Sequence, residues 1–204
     1  MITSIKSPFL EYKMTILRNK KTSNSLFRQT MNEASYLIAA EVLKHLKYKK
    51  VTVQTPLTKT TGKDLAQQII LVPILRAGLG LLEGFVKFLP NAEKGHIGLY
   101  RDEQTYEPVE YLFKLPKTKN KKVLVLDPML ATGNSSIAAI NLIKNKGVNI
   151  KDVSLISLLA APEGIKNLQK SHRSLHIFTC QIVAKLDKNK FIVPGLGDAG
   201  DRYM

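Results

Sequence analysis

The run Lys122-Val-Leu-Val-Leu-Asp127-Pro-Met-Leu-Ala131-Thr-Gly-Asn-Ser-Ser136-Ile-Ala-Ala-Ile-Asn-Leu-Ile143 constrains this chain more than any other stretch. Val123 to Leu126 is an unbroken apolar segment with the length and branching of a buried parallel strand. Asp127 ends it where strands of open α/β sheets deliver ligand-binding side chains. The small, hydroxylated residues Ala131 to Ser135 let backbone N–H groups approach an anion. A helix carried by Ile137, Ile140, Leu142 and Ile143 then aims its positive N-terminus at the same point. The pattern admits two readings: a phosphate loop, or an ordinary strand-turn-helix in which the Asp caps the turn. It is neither a Walker loop nor a dinucleotide fingerprint, because both glycine spacings are missing.

The rest of the chain has to supply layers for that strand. At 204 residues and 44% hydrophobic content it can bury one sizeable core, which predicts a single domain over 1–204. The formal net charge of +15 favours anionic partners. The lysines are scattered, however, without interleaved aromatic residues, which predicts a solvated basic surface and no nucleic-acid groove. The lone Cys180 lies in an apolar run and reads as a buried strand residue. No Cys or His pair has zinc-ligand spacing, no apolar run is long enough for a membrane span, and no signal-peptide core opens the chain. The expected compartment is the cytoplasm.

In chain order, residues 1–23 read as a polar N-terminal arm. Asn24 to Lys47 carries Phe27, Met31, Ala34, Ile38 and Val42 at helical spacing. Val51 to Leu57 reads as a strand, 58–62 as a turn, and Ile69 to Leu75 as a buried strand whose Pro73 suggests an edge or bulge. Arg76-Ala-Gly-Leu-Gly80 follows it, then a helix through Leu81, Leu82, Phe85 and Phe88. An arginine there can offer its fork to a diphosphate or pair with a surface carboxylate. Gly95 to Arg101 reads as a short strand, and the alternation of Tyr106, Val109, Tyr111, Phe113 and Leu115 over Glu103 to Leu115 as a hairpin arm. Further strands are expected at Val153 to Leu159 and Leu175 to Val183, with a helix opened by Pro162 between them. Strands alternating with helices predict an α/β fold with a mostly parallel central sheet flanked by helices. The last stretch, Phe191 to Arg202, holds Gly195, Gly197 and Gly200 and reads either as a flexible tail or as a backbone that comes close to something small or flat.

Three motifs carry a resemblance: Pro73-Ile-Leu-Arg-Ala-Gly-Leu-Gly80, Asp127-Pro-Met-Leu-Ala-Thr-Gly-Asn-Ser135 and Val193-Pro-Gly-Leu-Gly-Asp-Ala-Gly-Asp-Arg202. They occur in the order found in the uracil phosphoribosyltransferases, a branch of the type I phosphoribosyltransferases that the chain resembles along nearly its whole length. The resemblance implies a type I phosphoribosyltransferase fold with a β-hairpin hood at 102–118 and a uracil-recognition loop at 191–204. The implied reaction is transfer of ribose 5-phosphate from 5-phosphoribosyl 1-diphosphate (PRPP) to N1 of uracil, giving UMP and diphosphate. Arg76 and Arg101 would meet the diphosphate and Asp127 the ribose hydroxyls; these three are the implied catalytic set. The PRPP site would comprise them with Pro128, Met129, Leu130, Ala131, Thr132, Gly133, Asn134, Ser135 and Asp198. Uracil would meet Ile192, Gly197, Asp198 and Ala199, the first two and the last through the main chain. Its edge presents acceptor, donor, acceptor, a pattern that a kinked backbone can complement and that cytosine would not match.

Magnesium is the implied cofactor, held mainly by PRPP and water rather than by a protein cage. A homodimer or larger assembly and possible GTP activation are also implied. Three departures stand out. Asn134 replaces the second glycine of the family's Thr-Gly-Gly-Ser and is expected to tolerate a left-handed backbone there. Val183 stands where an acid is usual, and Tyr203-Met204 closes the match where most members continue with an aromatic-Gly-Thr tail. The rival readings are a pyrimidine-responsive RNA-binding regulator, suggested by the charge, and a purine-type phosphoribosyltransferase. The intact C-terminal motif disfavours both.

Overall fold

The computed structural model describes residues 1–102, 105 and 107–204, and the backbone alone at Arg101. The chain begins with β1 (Ile2–Ser4), α1 (Pro8–Arg18), α2 (Asn24–Leu43), β2 (Tyr48–Gln54) and β3 (Lys59–Leu65). Next come β4 (Gln68–Leu75), α3 (Leu79–Phe88), β5 (Glu93–Lys94), β6 (His96–Arg101) and β7 (Pro108–Lys114). β8 (Lys121–Leu126), β9 (Met129–Leu130), α4 (Asn134–Asn145), β10 (Val153–Ala160) and α5 (Pro162–Ser171) follow. The chain closes with β11 (His176–Ile182), β12 (Lys185–Leu186), β13 (Ile192–Val193) and α6 (Ala199–Tyr203).

The apolar runs assemble the main sheet in the order β1-β11-β10-β8-β4-β6-β7, with β5 alongside β4 and β9 alongside β10. Every pairing is parallel except β6 with β7. A strand buried on both faces needs apolar residues at every position, and β10 is buried from Val153 to Ala160. Alternate residues then divide between two cores. Leu124 and Leu126 of β8 face the side covered by α1, α2 and α3, and Val123 and Val125 face the side covered by α4 and α5.

Pro73 sits in a central strand, not at an edge. Its missing donor interrupts one ladder: β4 pairs Leu71 with Lys94 and Ile74 with Ile97, the same offset on either side of the proline. That interruption separates β5 from β6.

The first 23 residues are not an arm. Ile2–Ser4 pairs in parallel with β11 as the edge strand, and Leu10, Met14 and Leu17 of α1 are buried in the core. The local code was present: Ser7 caps the helix through Leu10 N at 3.4 Å, Pro8 starts it, and the three apolar residues recur at helical spacing. Phe9 and Tyr12, exposed on the solvent face, blurred that short stripe.

Of the 58–62 segment expected as a turn, all but Thr58 is the start of β3, paired antiparallel with β2. The turn lies earlier, at Thr55 to Thr58, where Thr58 N–H donates to Thr55 Oγ1 at 2.9 Å. Thr60 and Thr61 are β-branched and suit a strand. The long helix also ends at Leu43, short of Lys47.

Candidate functional site

From β4 the chain crosses by α3 to β6 on one side, whereas from β8 it crosses by α4 to β10 on the other. The space beyond the carboxyl ends of β4 and β8 is therefore a topological switch point, where open α/β sheets leave a crevice. A cleft of about 530 Å³ opens there, lined among others by Arg76, Tyr100, Tyr111, Asp127, Thr132 to Ser136 and Asp198.

The floor of the cleft is held by the backbone. Asp127 N–H donates to Ile156 O at 3.0 Å, and Pro128 O accepts from both Leu158 N and Leu159 N at 3.0 Å. β9 continues that attachment along β10, so the chain is fixed to the sheet as far as Leu130. Pro128 and Leu130 are consequently buried beneath the loop and line no part of the cleft, although the motif match had included them among PRPP contacts.

The loop then leaves the sheet and enters α4 through Gly133, at φ +90°. This left-handed residue lets the chain reverse into the helix, and a Cβ there would stand 3.0 Å from Gly164 O. Asn167 Nδ2 fixes the other side of the turn by donating to Thr132 O at 3.0 Å. Asn134 is the first residue of α4 and has no positive φ. Its expected left-handed tolerance is not used, because Gly133 alone makes the turn. The first turn of α4 borders the cleft; Asn134 N–H donates to Thr132 Oγ1 at 3.5 Å, and the first-turn N–H groups after it have no earlier turn to accept them.

Asp127 lies at the foot of this loop. Its Oδ2 accepts from Ser136 Oγ at 3.0 Å and its Oδ1 from Met129 N at 3.4 Å. Burial pushes its carboxyl up to about 6, against the opposing pull of those two bonds. Arg76, at the end of β4, donates to Asp201 Oδ1 at 2.6 Å across the cleft mouth. Both partners are more than half exposed, so the ion pair leaves the guanidinium accessible to an anion. Arg76 thus pairs with a surface carboxylate, one of its two readings, and also borders the cleft.

β6 and β7 pair antiparallel, with a bulge between Gly98 and Leu99; of the expected hood at 102–118, β7 is the described strand. Tyr100 and Tyr111 line the cleft from this pair of strands, their ring centroids 6.4 Å apart. The side chain of Arg101 and residues Glu103, Gln104 and Tyr106 lie outside the described residues.

The C-terminal stretch closes the remaining side and is not a loose tail. A second hollow of about 290 Å³ is lined by Ile192, Gly197, Asp198 and Ala199 and shares Ala77, Met129, Ala131, Asp198 and Gly200 with the first. Gly197 is left-handed at φ +70°. Asp198 caps α6 by accepting from Asp201 N at 3.0 Å. Arg202 anchors the segment: its Nη1 donates to Leu17 O at 2.6 Å and Leu196 O at 2.8 Å, its Nη2 to Asn19 O at 2.9 Å. Its guanidinium also stands 4.2 Å from the Phe27 ring centre.

The structure thus brings Arg76, Asp127, Met129, Ala131 to Ser135 and Asp198 to one cleft, and Ile192, Gly197 and Ala199 to the hollow beside it. Sequence reasoning missed Tyr100, Tyr111, Asp201 and Ser136. Only Ser136 carried a local signal, a hydroxyl in the first turn of the helix after the loop. Among the described residues no group of three or more His, Cys, Asp or Glu could hold a metal by itself, and no helix is long and apolar enough to cross a membrane.

A family model described as uracil phosphoribosyltransferase matches residues 4–204. Uracil phosphoribosyltransferase from Streptococcus salivarius is 47% identical, with 98% of this chain and 96% of that protein covered. The one from Finegoldia magna is also 47% identical, with 100% and 97% covered. Among solved structures, the AQ2163 protein from Aquifex aeolicus superposes with a TM-score of 0.93 at 35% identity, covering 100% of this chain and 97% of that one. A hypoxanthine phosphoribosyltransferase from Staphylococcus aureus, 13% identical, superposes with a TM-score of 0.51 over 78% of this chain and 77% of its own, which is a likeness of fold.

Proposed function

The chain belongs to the uracil phosphoribosyltransferase family, and on that premise we propose a division of labour within its two connected hollows. The reaction is transfer of ribose 5-phosphate from PRPP to N1 of uracil, giving UMP and diphosphate. In the larger cleft the N–H groups and hydroxyls of Ala131 to Ser135 hold the 5-phosphate, and Asp127 accepts from the ribose hydroxyls. Arg76 turns from Asp201 to the diphosphate, joined by Arg101 from the hood. In the smaller hollow Ile192, Gly197 and Ala199 present main-chain groups to the uracil edge. Asp198, shared by both hollows, faces the PRPP side.

The chemistry follows from that placement. As C1 of the ribose loses diphosphate it gains positive character, so the work is to align uracil N1 with C1 and to stabilise the departing charge. Arginine suits this role because it stays charged and offers a fork of donors to phosphate oxygens. Tyr100 and Tyr111, exposed at the cleft's edge, would pack on the bound donor and shield it from water that would hydrolyse it.

The donor set suits magnesium held mainly by the diphosphate and water: Asp198 is an exposed carboxylate at the shared edge, and no denser cage exists among the described residues. Bound there, the ion would supply charge neutralisation on the diphosphate.

The observation that carries the reading is the meeting of the anion loop, with Asp127 at its foot, and the Ile192–Ala199 backbone across shared residues of one switch-point crevice. The test is diphosphate release from PRPP and magnesium with uracil, cytosine, hypoxanthine or adenine. Release is expected with uracil well above the others; equal release with all four would refute the base assignment.

A further inference from the structure

We propose that Ser136 is a positioning residue for this reaction, holding Asp127 Oδ2 so that the carboxylate presents a fixed face to the ribose. The inference rests on the assignment of Asp127 to the ribose hydroxyls. Three observations carry it. Ser136 is 1% exposed, and its Oγ donates to Asp127 Oδ2 at 3.0 Å. The other carboxylate oxygen has only the long 3.4 Å bond from Met129 N, so Ser136 is the stronger of the two restraints described for Asp127.

The third concerns the usual alternative for a serine in a helix, which turns its hydroxyl back to the carbonyl four residues earlier. Here that carbonyl is Thr132 O, already engaged by Asn167 Nδ2 at 3.0 Å. The hydroxyl of Ser136 forgoes that carbonyl and crosses the loop to Asp127 instead. α5, through Asn167, fixes the loop carbonyl, and α4, through Ser136, holds the carboxylate.

The two neighbouring serines differ in burial and partner. Ser135 is exposed at the loop, whereas Ser136, though it also borders the cleft, is buried with its hydroxyl on Asp127. Without its hydroxyl the loop keeps its backbone turn, because Gly133, Gly164 and the attachment to β10 are untouched. What is lost is the orientation and ionic stabilisation of Asp127, since a hydrogen bond to a charged group is the stronger kind.

Steady-state kinetics of Ser136→Ala, Asp127→Asn and the double variant test this. Ser136→Ala is expected to lower kcat/KM for PRPP about tenfold, the scale of one hydrogen bond to a charged group, while KM for uracil stays within twofold. In the Asp127→Asn background, itself strongly impaired, Ser136→Ala should add less than a twofold further loss. A Ser136→Ala enzyme with unchanged kcat/KM for PRPP would overturn the inference. So would an equal rise in both KM values, or a full tenfold loss repeated in the Asp127→Asn background. Undiminished PRPP use by Asp127→Asn alone would remove the assignment of Asp127 and the inference with it.

Discussion

The two walls of the cleft are built by different means. The wall proposed to hold the phosphate, Asp127 to Ser136, is local: one strand, one left-handed glycine and one helix, each adjacent in sequence. The wall proposed to hold the base, Ile192 to Arg202, is held from a distance. Arg202 reaches back 185 residues to Leu17 O and 183 to Asn19 O, Arg18 donates to Pro194 O, and Tyr203 OH bonds Asn32 Oδ1. A wall of the first kind forms wherever its strand is buried, whereas one of the second kind exists only after the chain's two ends have met. Substitutions should therefore harm the two substrates selectively, according to the wall they touch.

The largest expected effect is that of Arg76→Ala on the donor. Losing a cation at the diphosphate should cut kcat/KM for PRPP by about 10²- to 10³-fold, as removal of a preorganised transition-state donor does. Because the Arg76–Asp201 pair is exposed on both sides, its loss should change unfolding free energy by less than about 1 kcal/mol. Denaturant titration beside the kinetics separates the two.

Arg202→Ala should come next, with the opposite profile. Three carbonyls lose a charged donor and Phe27 loses its cation, so unfolding stability should fall by about 2–4 kcal/mol and KM for uracil should rise several-fold. Gly133→Ala strains the local wall alone. A left-handed alanine, 3.0 Å from Gly164 O, should cost about 1–2 kcal/mol and raise KM for PRPP, not for uracil.

The pH profile sharpens the same contrast. Burial lifts Asp127 from its ordinary 3.8 to about 6, so the folded protein favours the neutral carboxyl. Its contribution to stability is then fully present below about 3.8 and lost as pH rises through about 6. Donor use runs the other way, because the ionised carboxylate is the better acceptor for ribose hydroxyls. The acid limb of kcat/KM for PRPP should therefore lie near pH 6 in a pH–rate profile. The smallest effect belongs to Asn134→Gly: at the first position of α4 the change should stay below about 0.5 kcal/mol in a thermal melt, with little change in either KM.

How much could be read in advance follows the same division. The local wall was legible because strand, acid, small residues and helix are neighbours, and one hydrophobic pattern orders them. The parallel sheet followed from repeating that unit, whereas the switch point came only with the strand order β10-β8-β4-β6. Arg202's role was not legible, since its partners are backbone carbonyls of a segment read as an arm. Once Leu10, Met14 and Leu17 bury α1, those carbonyls become the fixed ground on which the base wall stands. Arg76 and Asp201 meet over 125 residues, which no local pattern encodes. Pro128 and Leu130 show the reverse failure: a motif carries its structural residues along with its contacts, and only burial tells them apart.

The separation of the two walls is tested most directly by the equilibrium dissociation constant for PRPP, with magnesium, in Arg202→Ala below its unfolding transition. The account expects it to stay within about threefold of the parent protein, which is under 1 kcal/mol, while uracil-dependent turnover falls. A loss of PRPP affinity as large as the loss in uracil use would contradict it, since the phosphate wall would then depend on the same distant anchor.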